Sequence, residues 1–135
     1  MSFIPKVLII AGSDSGGGAG IQADIKTTSY FNGYAMTAIT AITAQNTIGV
    51  QSIYPLPKEI VMEQINSITT DLSPDIVKIG MLADLDIIEY ISKKISNYKI
   101  VLDPVMVATS GDVLVSDEIV TSIKNNIINK SFLIT

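Results

Sequence analysis

The sequence predicts an α/β fold, a doubly wound and mostly parallel sheet, on three observations. Short β-branched or apolar runs alternate with stretches of helical apolar spacing along the chain, a pattern that parallel strands with right-handed crossovers produce. The first such run leads through a glycine-rich turn directly into a helical stretch. Hydrophobic residues make up 47% of the 135 residues and charged ones only 16%, which suits a sheet covered on both faces better than a half-solvated one. This length allows one ordinary domain at most, or part of one, with a real core.

The elements follow in order. Residues 6–11 read as the first strand, ending at Gly12. Residues 20–32 read as a helix, with Asp24 in its opening turns and Gly33 as the residue that stops it. The small and β-branched run 36–43 is the second strand, and 50–54 is an extra short strand, an edge or flap element closed by Pro55 and Pro57. Pro57 suits the first turn of a second helix, which carries Val61, Ile65, Ile68 and Leu72 on one face. Residues 76–79 form the next strand. Asp84 then caps a helix that faces Ile87, Ile88, Ile91 and Ile95 inward and Lys93 and Lys94 outward. After a strand at 100–102, Ser116 caps a last helix whose stripe is Val120, Ile123 and Ile127, with Asp117 and Glu118 in its first turn. The run 132–134 is a final strand just before Thr135. With no helix after it, the sheet is expected to be truncated after about five strands.

The strand ends carry the residues of chemical interest. Gly12 and Asp14 follow the first strand, Gln45 and Asn46 the second, Gly80 and Met81 the third, and Asp103, Pro104 and Val105 the fourth. Parallel topology places these groups along one rim, where open α/β sheets hold their ligands. The glycine-rich stretch 11–24 matches neither G-x-G-x-x-G nor a Walker A pattern. It reads either as a cradle for an anion or small ligand or as a tight turn between strand and helix. Asp14 and Asp24 speak against phosphate there and for a neutral or basic heterocycle. Gln45-Asn46 is a polar turn or a donor–acceptor pair for a ring edge, and Met81 is core filler or a thioether against a ring face. Asp103, held extended before Pro104, is a capping group or a carboxylate aimed past the sheet edge. Residues 106–115 lack periodicity and read as a surface loop or a loop that closes over a substrate.

Composition removes several kinds of chemistry. Cysteine and histidine are absent, which excludes disulfides, a thiolate nucleophile, an imidazole base and the usual zinc ligands. A metal here is held by oxygen, which favours Mg²⁺. The net charge is −4 and the lysines are scattered, only Lys93 and Lys94 being adjacent, so no basic stripe exists for nucleic acid. The short apolar run near the N-terminus breaks at Gly12, too soon for a signal segment or a membrane span, so a cytoplasmic location is expected.

Four motifs, AGSDSGGGAGIQADIKT, TAITAQNTIGVQ, KIGML and VLDPVMVATSGDVL, occur in an order and spacing that resemble the N-terminal part of the hydroxymethylpyrimidine/phosphomethylpyrimidine kinases, the thiamin-pathway members of the ribokinase-like superfamily. The resemblance covers essentially the whole chain, and it implies that residues 1–135 are the N-terminal part of a single ribokinase-like kinase domain. The implied activity is ATP-dependent phosphorylation of 4-amino-5-hydroxymethyl-2-methylpyrimidine and then of its monophosphate, with Mg²⁺ as the metal and a homodimer as the assembly. By motif position, Gly12, Asp24, Gln45, Met81 and Val105 would line the pyrimidine pocket, Gln45 by hydrogen bonds and Met81 and Val105 by packing. Asp103 would lie near the Mg²⁺–phosphate region, acting through water. The family's later Gly-Thr-Gly-Cys turn has no counterpart in this sequence, so the chain is expected to carry mainly the pyrimidine-binding half and to be weak or inert as a catalyst by itself. Two other readings stay open, a non-catalytic pyrimidine-binding module and a fragment of a pyridoxal kinase.

Overall fold

The computed structural model describes residues 3–108 and 110–135. In chain order the elements are β1 (Lys6–Asp14), α1 (Gly20–Tyr30), β2 (Tyr34–Gln45), β3 (Val50–Pro55), α2 (Lys58–Asp71), β4 (Ile76–Ile79), α3 (Leu85–Lys94), β5 (Lys99–Leu102), α4 (Asp117–Asn126) and β6 (Leu133–Ile134). A short 3₁₀ turn, Ile128–Lys130, links α4 to β6. The strands form one sheet in the order β3-β2-β1-β4-β5-β6. All neighbours are parallel except β2 and β3. The expected parallel strands are therefore present, and the extra run at 50–54 is an antiparallel edge strand.

Side-chain alternation along the strands sorts the core into two layers. Leu8, Ile10, Val77, Ile79, Ile100 and Leu102 point to one face, where they pack on Val61 and Ile65 of α2, Ile87, Ile88 and Ile91 of α3, and Ile119 and Ile123 of α4. Ile9 and Ala11 point to the other face and meet Ile21 of α1. Three helices thus cover one side of the sheet and a single helix covers part of the other. Within α4 the buried first-turn residue is Ile119, while Val120 is only half-buried. The expected stripe was one position out of phase at its start.

Local signals account for most helix ends. The Asp84 carboxylate accepts from the Ile87 N–H at 2.9 Å, and the Ser116 hydroxyl accepts from the Ile119 N–H at 3.4 Å. Pro57 stands one position before α2 as its cap residue, where its carbonyl accepts from the N–H groups of Ile60 and Val61. The end of α1 corrects the expectation for Gly33. Asn32 takes the left-handed conformation, with φ 58°, and a paired closure follows: the Asn32 N–H donates to the Ser29 carbonyl and the Gly33 N–H to that of Thr28. Gly33 is needed for space, because a β-carbon there would lie 2.8 Å from the Thr28 methyl.

One irregularity shapes the rim. Between Ala11 and Ser13 of β1 the pairing with β2 shifts register, so that Thr40 and Ala41 both stand opposite Gly12. The Thr40 hydroxyl donates to the Met81 carbonyl at 2.8 Å. The bulge thereby ties β2 to the turn that leaves β4.

Replacing Ile65, fully buried between α2 and the sheet, by Ala is expected to cost about 2–5 kcal/mol of stability. Urea denaturation of the two proteins measures this directly.

Candidate functional site

Beyond the carboxyl ends of the parallel strands lies a cavity of about 830 Å³. Gly12, Asp24, Gln45, Met81, Asp103 and Val105 all line it. They come from β1, α1, β2 and the turns after β4 and β5, and the sheet brings every predicted site residue to one place.

The glycine-rich turn does not work as its composition suggests. Both oxygens of Asp14 are occupied inside it, accepting from the N–H groups of Gly16 at 2.7 Å, Gly18 at 2.9 Å and Ala19 at 2.8 Å. The Gly17 N–H donates to the Asp14 carbonyl. The amides of Gly16, Gly18 and Ala19 are thus taken by the chain's own carboxylate, and both Asp14 oxygens are committed to holding the turn. Burial alone pushes the Asp14 carboxyl upward. The donors of Gly16, Ala19, Gly18 and Gly17 together outweigh this and hold it below its ordinary value of 3.8.

Other contacts lock the turn to its neighbours. The Gln22 amide receives the Asp14 N–H on its oxygen and donates to the Ser13 hydroxyl, both at 2.8 Å. Ser15 accepts from the Gln45 N–H at 2.7 Å and donates to the Gln45 carbonyl at 2.8 Å. Gly20 opens α1 at φ 56°, and a β-carbon there would sit 2.4 Å from the Gly12 carbonyl oxygen. By contrast a β-carbon on Gly12 would meet nothing nearer than the Met81 sulfur at 3.5 Å.

The predicted residues divide by what they can still offer. The Thr43 hydroxyl shares its single proton between the Ser13 carbonyl at 2.9 Å and the Gln45 amide oxygen at 3.2 Å. The Gln45 amide nitrogen has no protein acceptor among the described residues, so Gln45 keeps donors for a ligand. Asn46 behaves as the turn reading expected, its oxygen accepting from Ile48, Gly49 and Gln51. Met81 is buried beside Gly12 with its sulfur near the cavity floor. The Val105 N–H is taken up by the Asp103 carbonyl in a three-residue turn around Pro104.

Asp24 is joined to a residue that sequence reasoning passed over. Lys78 donates to its carboxylate at 2.7 Å and lies 3.8 Å from that of Asp103. Among the described residues no three acidic side chains cluster to hold a metal. Mg²⁺ binds through one or two carboxylates together with water and substrate phosphates, so Asp103 fits as a single water-mediated partner and not as part of a cage. The described residues of 106–115 form a loop that is pinned at several points. Val107 pairs with Val113, and Asp112 accepts from the Ser110 hydroxyl and the Val50 N–H. Thr109 lies outside the described residues. The Ser110 hydroxyl first and the Val50 N–H second hold the Asp112 carboxyl low.

A mostly parallel sheet with helices on both faces and a cleft at its carboxyl edge places the chain in the doubly wound α/β class, whose members hold their ligands at that edge. Residues 14–135 match the model of the family described as phosphomethylpyrimidine kinase, and the chain belongs to that family. It is 50% identical over 135 residues to the hydroxymethylpyrimidine/phosphomethylpyrimidine kinase of Bacillus subtilis (strain 168), covering 98% of this chain and 50% of that protein. The crystal structure of phosphomethylpyrimidine kinase from Clostridium difficile 630 superposes with a TM-score of 0.87 at 43% identity, covering 98% of this chain and 58% of that one. The pyridoxal kinase of Staphylococcus aureus in complex with pyridoxal gives the same TM-score at 30% identity, covering 98% and 50%. The chain thus spans about half the length of the curated relatives it matches. Among the described residues no helix is long and apolar enough to cross a membrane.

Two predictions follow from the turn. Because folding lowers the Asp14 pKa, its stabilisation is complete above the ordinary carboxylate value and is lost as pH falls through the folded one. The unfolding midpoint is therefore expected to drop below about pH 5. Asp14→Asn should lose about 1–3 kcal/mol at neutral pH and lack this group's share of the acid response, as acid and urea titrations will register. Gly20→Ala should cost at least about 1–3 kcal/mol while Gly12→Ala costs less, and thermal unfolding compares them.

Proposed function

We propose that this chain is the N-terminal part of a single kinase domain and supplies the pyrimidine seat for ATP-dependent phosphorylation of 4-amino-5-hydroxymethyl-2-methylpyrimidine and then of its monophosphate. The observation that carries this reading is the convergence of Gly12, Asp24, Gln45, Met81 and Val105 on one cavity from separate elements. The chemistry of the lining agrees. Gln45 offers amide donors to a ring nitrogen or exocyclic group, Met81 a polarizable surface to a ring face, and Gly12 a strand end that carries no side chain into the cavity.

ATP, when bound, supplies the transferred phosphoryl group, with Mg²⁺ offsetting its charge. The residues of this chain orient the acceptor. Ser15 fixes the Gln45 backbone, Thr43 lies against its amide, and Asp14 holds the shape of the glycine turn beside them. Asp103, on the exposed side of the cavity, would hold Mg²⁺ through water. A cytoplasmic setting and a homodimer belong to the same reading. A second reading, a seat for pyridoxal, is favoured by the likeness to the pyridoxal kinase fold.

Calorimetric titration decides between them. The hydroxymethylpyrimidine is expected to bind more tightly than pyridoxal, and Gln45→Ala to weaken it by about tenfold or more. An ATP-consumption assay on the same chain is expected to show little turnover. Preference for pyridoxal, or pyrimidine affinity untouched in Gln45→Ala, would overturn the assignment of this seat.

A further inference from the structure

Among the described residues that line the cavity, Lys78 is the one cation. Its neighbours on β4, Val77 and Ile79, belong to the three-helix core, so alternation turns Lys78 to the α1 side, where Asp24 waits. Its side chain is 19% exposed. Gly80 leaves the room it occupies, since a β-carbon there would stand 3.2 Å from the ammonium. An ammonium has three N–H donors. One goes to Asp24, the only hydrogen-bond acceptor found for it among the described residues, and Asp103 at 3.8 Å lies beyond hydrogen-bond reach. Donor capacity toward the cavity is left over.

The charges around this group make the surplus informative. Asp14 spends both carboxylate oxygens on amides of its own turn, while Asp24 and Asp103 face the cavity with Lys78 between them. A neutral hydroxymethyl group can approach such a wall without penalty. A phosphate monoester, carrying close to two negative charges at neutral pH, is repelled by both carboxylates unless a cation meets it.

We propose that Lys78 is the contact for the phosphate ester of the monophosphorylated substrate, donating to a phosphate oxygen while it keeps its bond to Asp24. This rests on the pyrimidine reading above and gives it a specificity residue: Lys78 lets one seat accept both a neutral alcohol and its charged ester. Asp24 has a matching part. It holds the ammonium at the wall and leaves the remaining N–H groups aimed at the ester.

The test compares the hydroxymethylpyrimidine and its monophosphate on the 135-residue chain, as wild type, Lys78→Gln and Lys78→Arg, by calorimetry. Lys78→Gln is expected to weaken the monophosphate by at least about tenfold and the alcohol by much less, with Lys78→Arg restoring most of the difference. Equal losses for both ligands, or none for the monophosphate, would overturn the proposal. Methyl phosphate, which carries the ester without the ring, provides a second arm that does not need a folded variant. Titrated into wild type, it should shift the Lys78 side-chain methylene resonance in a saturable way. If that shift occurs while neither pyrimidine binds, the anion contact stands and the pyrimidine reading fails. If the pyrimidines bind and Lys78 responds to neither phosphate, the contact is wrong and the seat remains.

Discussion

The buried carboxylate at the end of β1 shapes the rim on which the cavity is built. A run of glycines has no side chains to hold it and much conformational freedom to lose. Asp14 offsets that loss by gathering three amides of the turn onto two oxygens. Once the turn is set, Ser15 reaches the end of β2, Gln22 reaches back to Ser13, and Gly20 can come against the Gly12 carbonyl. The opening of α1, and with it the placement of Asp24, depends on this arrangement.

Around that fixed corner, topology does the remaining work. Parallel strands end on the same side, so β1, β2 and the turns after β4 and β5 deliver their polar residues to a common edge. The register shift opposite Gly12 and the Thr40 bond to the Met81 carbonyl draw two of these ends together. The apolar layers beneath supply the rigidity. Their buried isoleucines, leucines and valines leave the chemistry to residues that contribute little to the core.

How much of this could be read from the chain depended on whether a signal was local. Asp84 and Ser116 announce helix starts because a cap acts within three residues, and both do cap. The rim residues were legible because strand ends and parallel order imply a shared edge, and Gly12, Gln45, Met81, Asp103 and Val105 meet there. What failed was decided by space. Gly33 looked like the left-handed stop of α1, yet Asn32 takes that conformation and Gly33 yields room to Thr28. Asp14 and Asp24 looked alike as ligand-facing carboxylates, but only the fold shows one folded into its own turn and the other paired. Lys78 was invisible because a lysine between Val77 and Ile79 resembles any outward residue of a strand, and its partner is 54 positions away.

The self-bonded turn has a consequence for the company the protein keeps. Ordinary glycine turns at strand ends attract whatever phosphorylated metabolite is abundant. Here three amides of the turn are already held by the chain's own carboxylate, so the corner is stiff before any guest arrives.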